Sequence, residues 1–147
     1  MTLPDASCEP TSRRLIFFAA AVIAGAALVA YANTVSAPFI FDDIAAIVEN
    51  PTIRDLSSLR SVLTPPSADG VTVSGRPLLN LSFALNYAVS GTGVWSYHAL
   101  NLLIHALAGL TLFGIVRRTV AATRLAAHAF SIALFSSLLW TLHPLQT

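Results

Sequence analysis

Lysine is absent from this chain of 147 residues, so all eight cations are arginine. Charge of either sign is scarce: Asp, Glu, Lys and Arg make up 10% of the sequence, against about 25% in an ordinary soluble domain. That deficit excludes a fully water-solvated surface. A formal net charge of +1, with the arginines scattered, leaves no basic stripe to track phosphates and excludes nucleic acid as a partner. The single cysteine, Cys8, rules out an internal disulfide and leaves the redox compartment undefined. No repeat at a fixed period is visible.

What the sequence does have is apolar residues, 55% of the total, gathered into runs. Residues 15–35 form an almost unbroken apolar stretch, about 31 Å long as a helix, which matches the hydrocarbon core of a bilayer. Arg13 and Arg14 precede it and place that end in the cytoplasm by the positive-inside rule. Residues 1–14 then read as a disordered cytoplasmic leader. Two export-signal readings compete with this. Ala30-Tyr31-Ala32 resembles a small-x-small cleavage site, and Ser12-Arg13-Arg14-Leu15 resembles part of a twin-arginine signal. The length of the run and the membrane segments that follow favour an uncleaved anchor.

Residues 36–96 are polar and punctuated, and read as a long outer loop containing two short interfacial helices. In the first, Asp55 is the expected N-cap, with Leu56, Leu59, Val62 and Leu63 on one face, and Thr64-Pro65-Pro66 ends it. Residues 67–74 read as a turn-rich segment. The second helix starts at Pro77, runs to Val89 and is closed by Ser90-Gly91-Thr92-Gly93. Trp95 and Tyr97 supply the aromatic belt expected where a chain re-enters the membrane. Residues 97–116 are the second expected span, 117–124 an inner loop carrying Arg117, Arg118 and Arg124, and 125–142 a third span. The expected fold class is therefore all-α integral membrane, with three spans, a cytoplasmic N-terminus and a long non-cytoplasmic loop.

The carboxylates that matter are Asp42 and Asp43, a few residues beyond the first span. Ionised groups near a membrane surface are functional candidates; the competing reading is a pair of solvated loop acids. In an extended loop, consecutive side chains point in opposite directions. One carboxylate would then act as general base or ion ligand and the other would hold the loop. Phe39, Ile40, Phe41 and Ile44 surround the pair and would raise its pKa by desolvation. Arg76 offers a bidentate fork for a lipid phosphate, or else is a solvated, snorkelling charge. His98, Asn101, His105 and Gly109 fall on one stripe of the second span. Helix packing accounts for His105 and Gly109, and His98 is the better site candidate. No residues have metal-ligand spacing. No cofactor is expected, and a metal has no support from spacing, although Asp42 or Asp43 with His98 or His143 could hold a divalent ion in three dimensions.

Read in series, Asn33, Pro38-Phe39-Ile40-Phe41-Asp42-Asp43, Ile47-Val48-Glu49-Asn50-Pro51, Gly75-Arg76-Pro77-Leu78, Leu85-Asn86-Tyr87-Ala88, the run from Tyr97-His98 to Ile104-His105 and Leu142-His143-Pro144-Leu145-Gln146-Thr147 form an ordered set. This set resembles the start of the transmembrane and tetratricopeptide-repeat O-mannosyltransferases and their bacterial relatives. The resemblance implies a C-type glycosyltransferase that uses a polyprenyl-phosphate sugar donor, with mannose the expected sugar, and a protein Ser or Thr acceptor. It further implies that Asp42 or Asp43 is the catalytic base and that Arg76 meets the donor phosphate, with His98, Asn101 and His143 lining the cavity. The family continues into further membrane helices and tetratricopeptide repeats. On that comparison the chain is a C-terminally truncated fragment, expected to be inactive alone. The alternative is a non-catalytic membrane anchor or assembly module. The lack of charge inside the spans argues against a transporter subunit.

Overall fold

A computed structural model describes residues 12–65 and 72–144. The leader as far as Thr11, Cys8, most of the 67–74 segment with Asp69, and the closing Leu145-Gln146-Thr147 lie outside the described residues. Among the described residues the chain is all-helical: α1 (Arg13–Tyr31), α2 (Leu59–Leu63), α3 (Pro77–Ser90), α4 (Val94–Ala121) and α5 (Ala129–Thr141), joined by short 3-10 and π turns. The chain divides into two compact units, one drawn from Met1–Ala32 and Leu102–Thr147 and the other from Asn33–Asn101.

In the first unit α1 and α5 each bury a row of residues at four-residue steps. On α1 these are Ala19, Ile23, Ala27 and Tyr31; on α5 they are Ala129, Ala133, Ser137 and Thr141. Small side chains repeating every fourth residue let helix backbones approach closely, the usual device where lipid rather than water surrounds a bundle. Gly109 of α4 belongs to the same contact. A Cβ built there would stand 2.5 Å from Thr141 Oγ1 and 3.2 Å from Ile23 Cγ2, so any larger residue forces the Thr141 side chain to shift. Phe113 and Phe130 meet edge to face at 5.9 Å. The outward faces are apolar as well, with Phe17, Val29, Phe135 and Leu139 exposed.

Polar groups in this unit serve a helix end. The last carbonyls of an α-helix have no partner within it, and in a lipid setting each must be satisfied by protein. Tyr31 Oη donates to the Thr141 carbonyl at 3.0 Å and to the His143 carbonyl at 3.2 Å. His105 Nε2 donates to the Thr141 carbonyl at 2.9 Å, so its Nε2 carries the proton. The imidazole stacks on Trp140 at 5.0 Å and meets the Tyr31 ring edge-on at 5.2 Å. Helix packing is thus the role His105 and Gly109 play.

Among the described residues two helices are long and apolar enough to cross a bilayer, Arg13–Ser36 and Val94–Ala121. The stretch expected as a third span is shorter, with its apolar helical part confined to Ala126–Thr141. Its regular α-helix of 13 residues is about 20 Å long, less than the hydrocarbon thickness. The second span is longer than expected at both ends: α4 starts at Val94, and its helical turns absorb Arg117 and Arg118 from the expected inner loop.

The second unit has its own core of Ala46, Ile47, Ile53, Val62, Val73, Ala84 and Tyr97, with Phe39, Leu79 and Phe83 packed against it. Three expectations change here. Tyr97, expected in an interfacial belt, is 3% exposed; the start of α4 turns it inward, where its hydroxyl donates to the Gly91 carbonyl at 2.8 Å. The first short helix begins at Leu59 behind Ser58, not behind Asp55. The Asp55 carboxylate instead accepts from the Ser57 N–H and hydroxyl, both at 2.9 Å, a local turn that competes with helix initiation. Those bonds hold its pKa below the usual carboxylate value. Finally, of the expected apolar face only Val62 is fully buried, while Leu59 and Leu63 are exposed. The second short helix is as expected: Pro77 opens α3, and Gly91, at φ 60°, closes it by donating its N–H to the Tyr87 carbonyl at 2.7 Å.

Candidate functional site

The segment carrying the two carboxylates is not extended. Asp43 N–H donates to the Ile40 carbonyl at 3.1 Å, and the Asp43 carboxylate accepts the Ile40 N–H at 3.3 Å, closing a tight turn from both sides. Phe41 and Asp42 occupy its corner, and Phe41 has φ 45°. From there the chain enters a π-helical turn, Ile44–Val48, closed by Glu49 N–H on the Ile44 carbonyl at 2.8 Å. Single π turns are uncommon and concentrate at functional sites. The two carboxylates are therefore in different states, for a reason other than extended backbone. Asp43 is committed to the loop backbone, whereas the Asp42 carboxylate is exposed and makes no hydrogen bond among the described residues. The apolar neighbours do not close over the pair, because Ile40, Phe41 and Ile44 are all exposed.

His98 reaches the same loop. Its Nε2 donates to the Ala37 carbonyl at 3.1 Å, and its ring lies 6.4 Å from Phe39, tilted by 36°. Phe39 also packs edge-on to Tyr97 at 5.3 Å. The structure therefore brings His98 to the segment that leads into the carboxylate turn, where it holds the Ala37 carbonyl. Arg76 is exposed at the N-cap of α3 and makes no side-chain hydrogen bond among the described residues. Asn101 is likewise exposed, without a side-chain bond among the described residues. His143 belongs to the first unit, whereas Asp42, Asp43, Arg76, His98 and Asn101 belong to the second. His143 lies with Pro144 at the end of a shallow apolar groove lined by Phe135, Leu138, Leu139 and Leu142.

The polar node that fixes the loop is barely signalled by residue pattern. Asn50 and Asn80 are buried together. Asn50 Nδ2 donates to Asn80 Oδ1 at 2.8 Å and to the Ala46 carbonyl at 2.9 Å. Asn50 Oδ1 accepts from the Thr52 N–H and hydroxyl, at 3.0 and 2.7 Å. Asn80 Nδ2 donates to Thr52 Oγ1 at 2.9 Å and to the Val62 carbonyl at 2.7 Å. One amide pair thus ties the π turn, the 3-10 turn Pro51–Ile53, α2 and α3 together. Arg54 reinforces it by donating to the carbonyls of Val48 and Asn50 and, at 2.7 Å, to the Tyr87 hydroxyl, with its guanidinium 4.6 Å over the Tyr87 ring. Asn50-Pro51 is a helix-start signature that could have flagged Asn50; a lone Asn80 inside an apolar helix carries no such signal. Among the described residues no group of His, Cys, Asp or Glu is arranged to hold a metal ion.

The chain is 34% identical over 136 residues to protein O-mannosyl-transferase TMTC1 of Mus musculus, covering 88% of this chain and 14% of that protein. To protein O-mannosyl-transferase TMTC3 of Homo sapiens it is 29% identical over 132 residues, 86% of this chain and 14% of that protein. To protein O-mannosyl-transferase TMTC2 of Homo sapiens it is 39% identical over 85 residues, 54% of this chain and 10% of that protein. The chain spans about a seventh of the length of the first of these relatives. No protein-family model matches it, and neither does any solved structure.

Proposed function

The chain belongs to the protein O-mannosyl-transferase family, and on that footing we propose that it forms the N-terminal membrane portion of a glycosyltransferase. In this reading the enzyme moves a sugar, mannose, from a polyprenyl-phosphate donor to a Ser or Thr hydroxyl of a protein. The membrane domain is multi-pass, with the N-terminus cytoplasmic and the 36–96 segment on the non-cytoplasmic face. Residues 125–142 make the third crossing, shortened to a helix that needs a thinned bilayer or neighbouring helices.

The observation that carries the proposal is the unequal state of the two carboxylates. Asp43 spends its side chain on the Ile40 N–H, while Asp42, fixed at the corner of that turn, has no side-chain hydrogen bond among the described residues. A general base needs hydrogen-bond reach to the proton it takes and nothing that competes for its lone pairs. Asp42 accepts the proton of the acceptor hydroxyl as that oxygen attacks the anomeric carbon; the bond from carbon to phosphate oxygen breaks, and polyprenyl phosphate leaves with inversion at the sugar. Arg76, exposed and unpaired among the described residues, supplies a guanidinium for the donor phosphate. His98 acts one step back as a positioning residue that holds the approach to the turn through Ala37.

The test is transfer of labelled mannose from a polyprenyl-phosphate donor by the full-length gene product in membranes. Asp42→Asn removes the base without changing shape and is expected to lower turnover by about 10²- to 10⁴-fold. Asp43→Asn keeps an acceptor for the Ile40 N–H and is expected to retain most of the activity. Equal activity of Asp42→Asn and wild type would remove Asp42 from the mechanism. A second reading, an anchor or assembly module without catalysis, draws on the apolar residues that α2 and α3 leave exposed, among them Leu59, Leu78 and Val89. It predicts no transfer by the wild-type protein and co-purification with a partner that is lost when these positions become polar.

A further inference from the structure

Phe39 and Phe41 are two apart, so in continuous extended backbone they would share a face and both would pack on the core. They do not. Phe39 packs inward on Tyr97 and His98, while Phe41 is 89% exposed and is, among the described residues, the one non-glycine residue with positive φ. A left-handed φ is a genuine outlier for a bulky residue, and here it turns an aromatic ring away from the core. The turn is held in that state by the paired bonds between Ile40 and Asp43. Ile40, beside it, is 60% exposed. Strain maintained in order to expose apolar surface calls for something apolar outside.

Two independent observations locate that surface. By covalent connection, Phe41 follows Ser36, the last residue of the first apolar span, by five residues, which reach roughly 17 Å at full extension. By packing, Phe39 just before it lies against Tyr97 and His98 in the opening turns of α4, the second apolar span. Trp95, in the first turn of α4, is itself 53% exposed. The tip is thus close in sequence to the end of one apolar span and packs, through Phe39, on the first turns of another; at the ends of such spans aromatic side chains partition into the interface.

We propose that Ile40 and Phe41 form a lipid-inserted tip, a small wedge whose partner is the acyl-chain boundary of the membrane. By holding the corner of the turn in the interface, it fixes the depth of the adjoining Asp42 carboxylate. The lipid contact rests on exposure, strain and position; its link to catalysis rests on the reading of Asp42 above.

The experiment uses the whole chain in phosphatidylcholine vesicles, with Cys8→Ala to remove the native thiol and a fluorophore attached to Phe41→Cys. Nitroxide carried high on the lipid acyl chain should remove most of its emission, and aqueous iodide should remove little. The same fluorophore on Ser57→Cys, an exposed polar position, should respond in the opposite way. Ile40→Cys provides a second reading if Phe41→Cys fails to assemble. Quenching by iodide without quenching by lipid nitroxide at both positions would overturn the proposal. So would emission protected from both quenchers, which would mean that protein covers the tip. Neither result depends on whether the protein transfers a sugar, so failure here is distinguishable from failure of the catalytic reading.

Discussion

Asn80→Ala should unfasten the carboxylate loop without touching it. In the native protein the Asn80 amide accepts one hydrogen bond, from Asn50, and donates two, to Thr52 Oγ1 and the Val62 carbonyl. After truncation Asn50 Nδ2 keeps the Ala46 carbonyl and the Thr52 hydroxyl keeps Asn50 Oδ1, so two of the partners remain satisfied. The Val62 carbonyl loses its bond to Asn80 in a region where Val62 is 0% exposed. A buried polar group left unpaired costs about 1–3 kcal/mol, and the other lost bonds about 0.5–1.5 kcal/mol each. The sum is roughly 2–6 kcal/mol, a large share of the stability of a small unit. Hydrogen exchange in detergent micelles reads this directly. Amides around residues 49–64 should exchange about 30-fold faster or more, because each 1.36 kcal/mol is tenfold. Asn80→Asp adds a sign test. Its carboxyl can donate to the Val62 carbonyl only when protonated, so burial raises its pKa above the unfolded value. Its deficit is therefore largest at neutral pH and shrinks as pH falls through that raised value. Protection within about threefold of wild type in Asn80→Ala, the range of an ordinary surface change, would refute the claim that this amide pair holds the loop.

Two further outcomes test the packing. Gly109→Ala places a methyl against Thr141 Oγ1 and Ile23; it should destabilise the first unit by about 1–3 kcal/mol, and Thr141→Ala in the same chain should restore much of the loss. Additive thermal shifts of the two changes in detergent would contradict the contact. His98→Ala should speed amide exchange in the turn around Ile40 and Asp43, whereas His98→Gln, which keeps an N–H for the Ala37 carbonyl, should not; equal exchange in both variants would sink the clamp.

The elements that sequence patterning located are those whose cause is local. Long apolar runs specify α1 and α4 wherever they sit, because length and composition alone satisfy the backbone in an apolar medium. Pro77 and the Gly91 turn bracket α3 because each acts on its own backbone. The family resemblance was legible for a similar reason, being carried by short motifs in series. The misses share the opposite cause. Asp55 looked like a helix cap, but Ser57 sits close enough to capture its carboxylate first. Tyr97 reads as an interfacial aromatic until the position of Phe39 and Phe83 makes it core.

Sequence alone therefore determined that this is a helical membrane chain with two adjacent carboxylates just past an apolar span, since period, length and charge are properties of the string. Only the tertiary structure decided which carboxylate is bound to the loop backbone. That outcome depends on a turn closed between Ile40 and Asp43, on a positive φ at Phe41, and on Asn50 meeting Asn80 from thirty residues away. A hydrogen bond between distant residues, and the strain it sustains, exist only once the chain has brought them together.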